Sequence, residues 1–283
     1  GLGLAIPHAK LRGIRDFVVA LGTHPPLDEE HITQLCGISL EERRERYPRV
    51  SVFNHGWRDP SGLEKIGVVP ASEVAETTGQ QFGYRIPEGF GDLQAAPLLC
   101  AGIIGYRALR LSGAPSGGRL GLYGFGASAH IAIQIARSWG CEVYAFSRSE
   151  KHRRLALELG AAWAGEPREM PPYKHQASVV FAPAGESAHQ ALSNTERGGT
   201  VTLAGITMSP VPETDYERYL YWERTLRSVS NATRADGEEL LKLASTIPIK
   251  TTTRTFPLKD ANEALIEVKE GRVSGAAVLK LGK

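Results

Sequence analysis

Residues 119–148, RLGLYGFGASAHIAIQIARSWGCEVYAFSR, constrain the fold of this chain more than any other stretch. Leu120–Tyr123 is a short apolar run, and Gly124-Phe125-Gly126-Ala127-Ser128-Ala129 follows at once. Ile131, Ile133, Ile135 and Ala136 belong to a largely apolar helix that Gly140 ends, and Cys141–Phe146 is a second β-rich run. Strand, glycine turn, helix and strand in this order form the G-x-G-x-x-G/A dinucleotide fingerprint in its structural context. Gly124 permits the tight turn. Gly126 has no β-carbon, so a pyrophosphate can approach the backbone of Phe125 and Ala127 closely. Ala129 is small enough for helix to pack on strand. The helix N-terminus offers free N–H groups and a partial positive charge. The same residues would also serve a tight turn in an α/β protein that binds nothing.

The end of the second strand predicts the nucleotide. Chains of this kind that bind NAD place a carboxylate there, about 20 residues beyond the glycines, on the ribose 2′-hydroxyl. Here the position is Ser147, followed by Arg148, with Lys151, Arg153 and Arg154 nearby. A carboxylate would repel a 2′-phosphate, whereas a hydroxyl beside a guanidinium binds it through charge-assisted hydrogen bonds. NADP is therefore expected ahead of NAD. The alternative is that these cations simply solvate the start of a helix.

The alternation continues to the C-terminus. Strands are expected over 177–182, 200–204, 225–230, 251–256 and 276–281, and helices over 151–159, 187–192, 216–223, 236–244 and 261–269. Repeated βα units with short loops predict an α/β protein: a doubly wound parallel (Rossmann) sheet, with a smaller α/β segment at the N-terminus. In that segment, strands are expected over 16–21 and 49–53 and helices over 28–36 and 40–46. His24 and His55 each follow a strand end, as an acid/base pair, as metal ligands, or as turn formers whose rings bond nearby backbone.

Composition excludes several classes. The formal net charge of +2 points to no polyanionic partner such as nucleic acid. The longest weakly polar run, Ala95–Tyr106, is too short for a bilayer, which takes about 20 residues. Cys36, Cys100 and Cys141 show no paired spacing, which fits a reducing cytoplasm and rules out a four-cysteine zinc site within the chain. No signal-peptide pattern precedes the first strand, and the first residue is not methionine, which fits a fragment or a processed product.

Two family resemblances cover the chain. From about residue 80 onward, IPEGF…AAPLLCAG…GYRAL, LGLYGFGASAH, LELGA at Leu157–Ala161, RGGTVTLAGI and ERTLRSVSNATR resemble zinc-type alcohol dehydrogenases of the medium-chain dehydrogenase/reductase superfamily. Before it, LGTHPPLDEE, YPRVSVFNHGW and IGVVPASEVAETTG look like the N-terminal part of the nickel-pincer lactate racemase family. These resemblances divide the chain into a racemase-like fragment (1–79), a remnant of a dehydrogenase catalytic domain (80–104), a dinucleotide-binding domain (105–245) and a C-terminal return to the catalytic remnant (246–283).

The first resemblance implies that Ala182-Pro183, Ala204-Gly205-Ile206 and Ser230-Asn231 edge the nicotinamide. It also implies that Cys100 is one of three zinc ligands. The segment with the other two is not found in this chain, so Cys100 reads rather as a buried packing residue and zinc is doubtful. The second implies that His24 is a proton-transfer residue. The pattern there is interrupted by Pro25-Pro26, and no continuation carries the rest of that site, so a nickel-pincer cofactor is not expected. The leading expectation is NADP-dependent hydride transfer with a small alcohol or aldehyde, on a chain that can form homo-oligomers. Zinc-independent quinone or enoyl reduction, a non-catalytic nucleotide-binding fusion and, last, racemisation are the alternatives.

Overall fold

The computed structural model describes residues 4–5, 17–21, 86–87, 89–206 and 208–281. His24, His55 and the elements expected over 28–53 lie outside these residues. The chain forms two compact units, one from residues 1–100 with 253–283 and the other from 101–252.

In the first unit, β1 (Leu4–Ala5) and β2 (Phe17–Leu21) form an antiparallel pair. The helix α1 (Asp92–Pro97) follows. It runs without a break into a π-helical turn, Leu98–Gly102, and then into α2 (Ile103–Ser112). Pro97 has no N–H to give the preceding turn, and the wider π-turn begins immediately after it. Cys100 lies in that turn, where the first unit ends and the second begins.

The second unit is built on a six-stranded sheet of β3 (Arg119–Tyr123), β4 (Glu142–Phe146), β5 (Trp163–Gly165), β6 (His175–Val180), β7 (Thr195–Leu203) and β8 (Thr225–Ser228). Their order is β5-β4-β3-β6-β7-β8, and every neighbouring pair is parallel. This is the expected doubly wound sheet, and its order reverses between β3 and β6. The connecting helices are α3 (Ala127–Ser138), α4 (Glu150–Glu158), α5 (Glu186–Ser193), the short α6 (Tyr216–Tyr219) and α7 (Arg234–Ala244). Parallel strands covered by helices should be apolar throughout, and Leu120, Leu122, Val143, Ala145, Val179 and Val180 are all buried. Under α5, Tyr123, Tyr144, Phe146, Val180, Ala191, Leu192 and Val201 form one cluster. Tyr123 and Phe146 stack with ring centroids 4.1 Å apart.

The chain then returns to the first unit. β9 (Thr253–Pro257), α8 (Ala261–Lys269) and β10 (Ala276–Leu281) complete it. Its sheet has the order β1-β2-β10-β9, with β10 antiparallel to β2 and parallel to β9. Phe256, Ala264, Leu265, Val273, Ala277 and Leu279 form its core, and Ala96 of α1 packs on Val278.

Several elements depart from expectation, among them β1 and the helical stretch 92–112, for which no element was expected. β5 is too short to show a period and is recruited by pairing with β4. β7 begins at Thr195, because the Gly198-Gly199 break is absorbed within the strand. The helix expected over 216–223 stops at Tyr219: Glu223 has a φ of 59°, and the Arg224 guanidinium bonds the carbonyls of Arg218 and Tyr219.

Candidate dinucleotide-binding site

The point where the sheet order reverses, between the C-terminal ends of β3 and β6, is where open parallel sheets leave a crevice. Gly124 follows β3 directly. Its φ is 87°, and its N–H donates to the Phe146 carbonyl at 2.8 Å, tying the turn to the end of β4. The Tyr123 carbonyl accepts the N–H groups of Phe181 and Ala182 at 2.8 and 3.0 Å. Below it, the Tyr123 ring is held by Asn194, whose Nδ2 donates to the phenol oxygen at 3.0 Å. The turn is thus built on a fixed base.

Gly126 is the N-cap of α3, and no side chain caps the first turn. A β-carbon built on Gly126 would meet no protein atom within 4 Å. The space in front of this residue is therefore open, as a pyrophosphate lying against the helix start requires. Phe125 points the other way and is buried, as are Ala129 and Ile131. On the far side of α3, Gly105 of α2 lies so close that a β-carbon there would be 3.1 Å from the Ser128 carbonyl oxygen.

At the end of β4, Ser147 is buried and its N–H donates to the Gly165 carbonyl at 2.9 Å. Its hydroxyl accepts the N–H of Ser149, which in turn caps α4. Arg148 is exposed. The neighbouring cations differ in what they do. The Arg153 guanidinium donates to the carbonyls of Ser147 (2.8 Å) and Arg148 (3.2 Å) and pairs with Glu166 at 3.7 Å. Arg154 pairs with Glu150 across one helical turn. Arg153 therefore shapes the Ser147-Arg148 turn, a role its sequence position does not reveal. Lys151 sits in the first turn of α4.

The opposite wall comes from the loops after β6, β7 and β8. A β-carbon on Gly205 would be 3.3 Å from the Ala182 carbonyl oxygen and 3.5 Å from the Pro183 Cα, so these two turns touch. Ser209 fastens them together: its N–H donates to Pro183 O, and its hydroxyl accepts from Gly185 N at 2.9 Å. Ile206 is 67% exposed, a large apolar side chain left outside any core. Asn231, after β8, has a φ of 57°. The fold thus brings Gly124, Gly126, Ser147, Ala182, Pro183, Gly205 and Asn231 to one edge of one sheet.

Cys100 belongs to the first unit. The residue is half-buried, and burial pushes the pKa of its thiol up. Among the described residues, no group of three or more His, Cys, Asp or Glu side chains is arranged to hold a metal ion.

A family profile described as zinc-binding dehydrogenase matches residues 129–246. A probable alcohol dehydrogenase, AdhA, of Mycobacterium tuberculosis is 42% identical over 224 residues, which is 79% of this chain and 62% of that protein. An alcohol dehydrogenase of Geobacillus stearothermophilus is 30% identical over 237 residues, 81% of this chain and 67% of its own length. The chain belongs to the zinc-type alcohol dehydrogenase family. It spans less than two thirds of the AdhA relative's length. An acetophenone reductase from Geotrichum candidum, solved in complex with NAD, superposes with a TM-score of 0.64 at 23% identity, covering 69% of this chain and 58% of that one. That likeness is one of fold.

Sequence reasoning missed Ser209, which fastens the loops after β6 and β7, and the Asp236–Arg107 pair, which joins the start of α7 to α2. Thr233 and Asp236 did carry a signal, since Thr-x-x-Asp ahead of an apolar run is the spacing of a capping box.

Proposed function

We propose that this chain binds NADP(H) and serves hydride transfer between that cofactor and a small alcohol or aldehyde. The observation that carries the reading is Gly126: an uncapped helix start with open space in front of it, at the reversal of a parallel sheet. Gly124, Phe125, Gly126 and Ala127 would receive the pyrophosphate on their backbone. Ser147 and Arg148 would receive the adenosine 2′-phosphate, with Lys151 adding positive charge. Ala182, Pro183, Gly205, Ile206 and Asn231 would flank the nicotinamide, where small residues and the exposed Ile206 suit a flat ring.

When bound, NADP supplies a carbon that accepts or returns a hydride. The residues of this chain then fix its ring and exclude water from one face of it. A non-catalytic nucleotide-binding role is the second reading. It is favoured by Cys100, which belongs to no group of three or more His, Cys, Asp or Glu side chains able to hold a metal ion among the described residues. A reducing cytoplasm is supported by the free thiols Cys100 and Cys141. Among the described residues, no helix is long and apolar enough to cross a membrane.

Titration of the purified chain with NADPH and NADH tests the cofactor, with NADPH expected to bind more tightly. Tighter NADH binding overturns the choice of nucleotide, and binding of neither overturns the reading. Zinc content measured beside turnover of simple alcohols separates the two roles.

A further inference from the structure

Asp236 is more elaborately held than a helix start requires. The loop from β8 begins beside β7, where Val229 N donates to Leu203 O at 2.8 Å. It passes through Asn231 at a φ of 57°, a conformation that side chains with a β-carbon rarely adopt. The loop ends at Thr233, the N-cap of α7. Asparagine takes up this left-handed conformation more readily than most side chains, and the Asn231 Oδ1 accepts the Ala232 N–H at 2.9 Å. Here the N–H and hydroxyl of Thr233 donate to Asp236 Oδ2 at 2.8 and 2.6 Å, and Asp236 N donates back to the Thr233 hydroxyl.

Those bonds would suffice as a capping box. Yet Asp236 is only 1% exposed, and two guanidinium groups from α2 also reach it: Arg107 at 2.6 Å and Arg110 at 3.0 Å. Burial alone would raise its pKa, but the bonds from Thr233 and Arg107 outweigh it and hold the carboxyl below its ordinary value. Tyr106 and Arg110 add bonds to Glu239, one turn further along α7. The helix that supplies these groups also packs on α3 at Gly105 and Ser128, beside the start that Gly126 caps. The loop after β8 and the pyrophosphate cradle are thus fastened to the same helix, α2.

We infer that Asp236 is a positioning residue for the nicotinamide half of the bound cofactor: by tying Thr233 to Arg107 and Arg110 it holds the Asn231 turn against the crevice. This rests on the nucleotide-binding reading above. It predicts a selective defect, since the adenosine half is gripped at the end of β4, by residues that do not touch Asp236.

The test titrates the unsubstituted chain, Asp236→Asn and Thr233→Val with NADPH and with 2′,5′-ADP, which carries the phosphorylated adenosine but no nicotinamide. Asp236→Asn should weaken NADPH binding about tenfold, the scale of lost charge-assisted hydrogen bonds. Binding of 2′,5′-ADP should change by less than about twofold. Equal weakening of both ligands, or undiminished NADPH binding, overturns the inference. Should Asp236→Asn fail to fold by circular dichroism, Thr233→Val, which keeps the arginine pairs, should still show the selective loss at about threefold, and an unselective result there overturns it too. If the unsubstituted chain binds neither ligand, the nucleotide-binding reading itself has failed and this inference falls with it.

Discussion

Gly124 and Ala182 stand so close that a β-carbon on Gly124 would lie 2.7 Å from the Ala182 backbone nitrogen. The neighbour is backbone and cannot swing aside, and the φ of 87° at Gly124 already disfavours any other residue. Gly124→Ala should therefore cost about 2 kcal/mol or more, seen as a drop of several degrees in the thermal midpoint, and should weaken NADPH binding as the turn shifts. An unchanged midpoint would contradict this account of the turn.

Gly126 should behave in the opposite way. Its extended backbone and empty surroundings tolerate a methyl group, so Gly126→Ala should leave stability within about 1 kcal/mol. NADPH binding should fall by about thirtyfold or more, because the methyl occupies the space a pyrophosphate needs. Parallel thermal melts and titrations check the pair, and equal NADPH affinity in Gly126→Ala and the unsubstituted chain would mean that no pyrophosphate lies against Gly126.

Ser147→Asp tests the nucleotide choice. The Ser147 hydroxyl accepts the N–H of Ser149, and a carboxylate oxygen can take over that bond, so the turn should survive. The new charge should lower NADPH affinity about a hundredfold while leaving NADH affinity equal or improved. Arg148→Gln should give a smaller loss, about tenfold, for NADPH alone. A ratio of the two affinities that does not move in either variant counts against a 2′-phosphate site at the end of β4.

Two buried histidines predict an acid sensitivity. His130 and His175 are both fully buried, and burial pulls each pKa down to about 4. In the unfolded chain the ordinary value is 6.5, so the unfolded state takes up protons first. Stability should be complete above pH 6.5 and fall as pH drops toward 4, by an amount on the order of 3 kcal/mol for each ring. His130 Nε2 accepts the N–H of Thr252 at 3.3 Å, a bond that protonation removes. Denaturant midpoints between pH 7 and pH 4.5 check this, and His175→Gln should flatten part of the slope.

The sheet and its cradle were readable because they depend on local signals. A glycine turn between an apolar strand and an apolar helix has few alternative readings, and α8 and β10 fall on their expected bounds for the same reason. The short β5 was not readable, since Trp163–Gly165 becomes a strand only by pairing with Tyr144–Phe146. Arg224 was not readable either: it ends α6 by reaching back to carbonyls that a longer helix would have used. The Asp236–Arg107 pair joins positions 129 residues apart, and no pattern along the chain announces such a bond.

The pairing of β2 with β10 sets an order of events during synthesis. The unit from Ala101 to Thr252 is one continuous stretch, so its sheet can close while the rest of the chain is still on the ribosome. The other unit cannot, because Phe17 meets its partner only when Leu281 has been made. Until then the edge of β2 that β10 will cover stays open, and a released chain truncated after residue 260 should resist protease between 101 and 252 but be cut around β2.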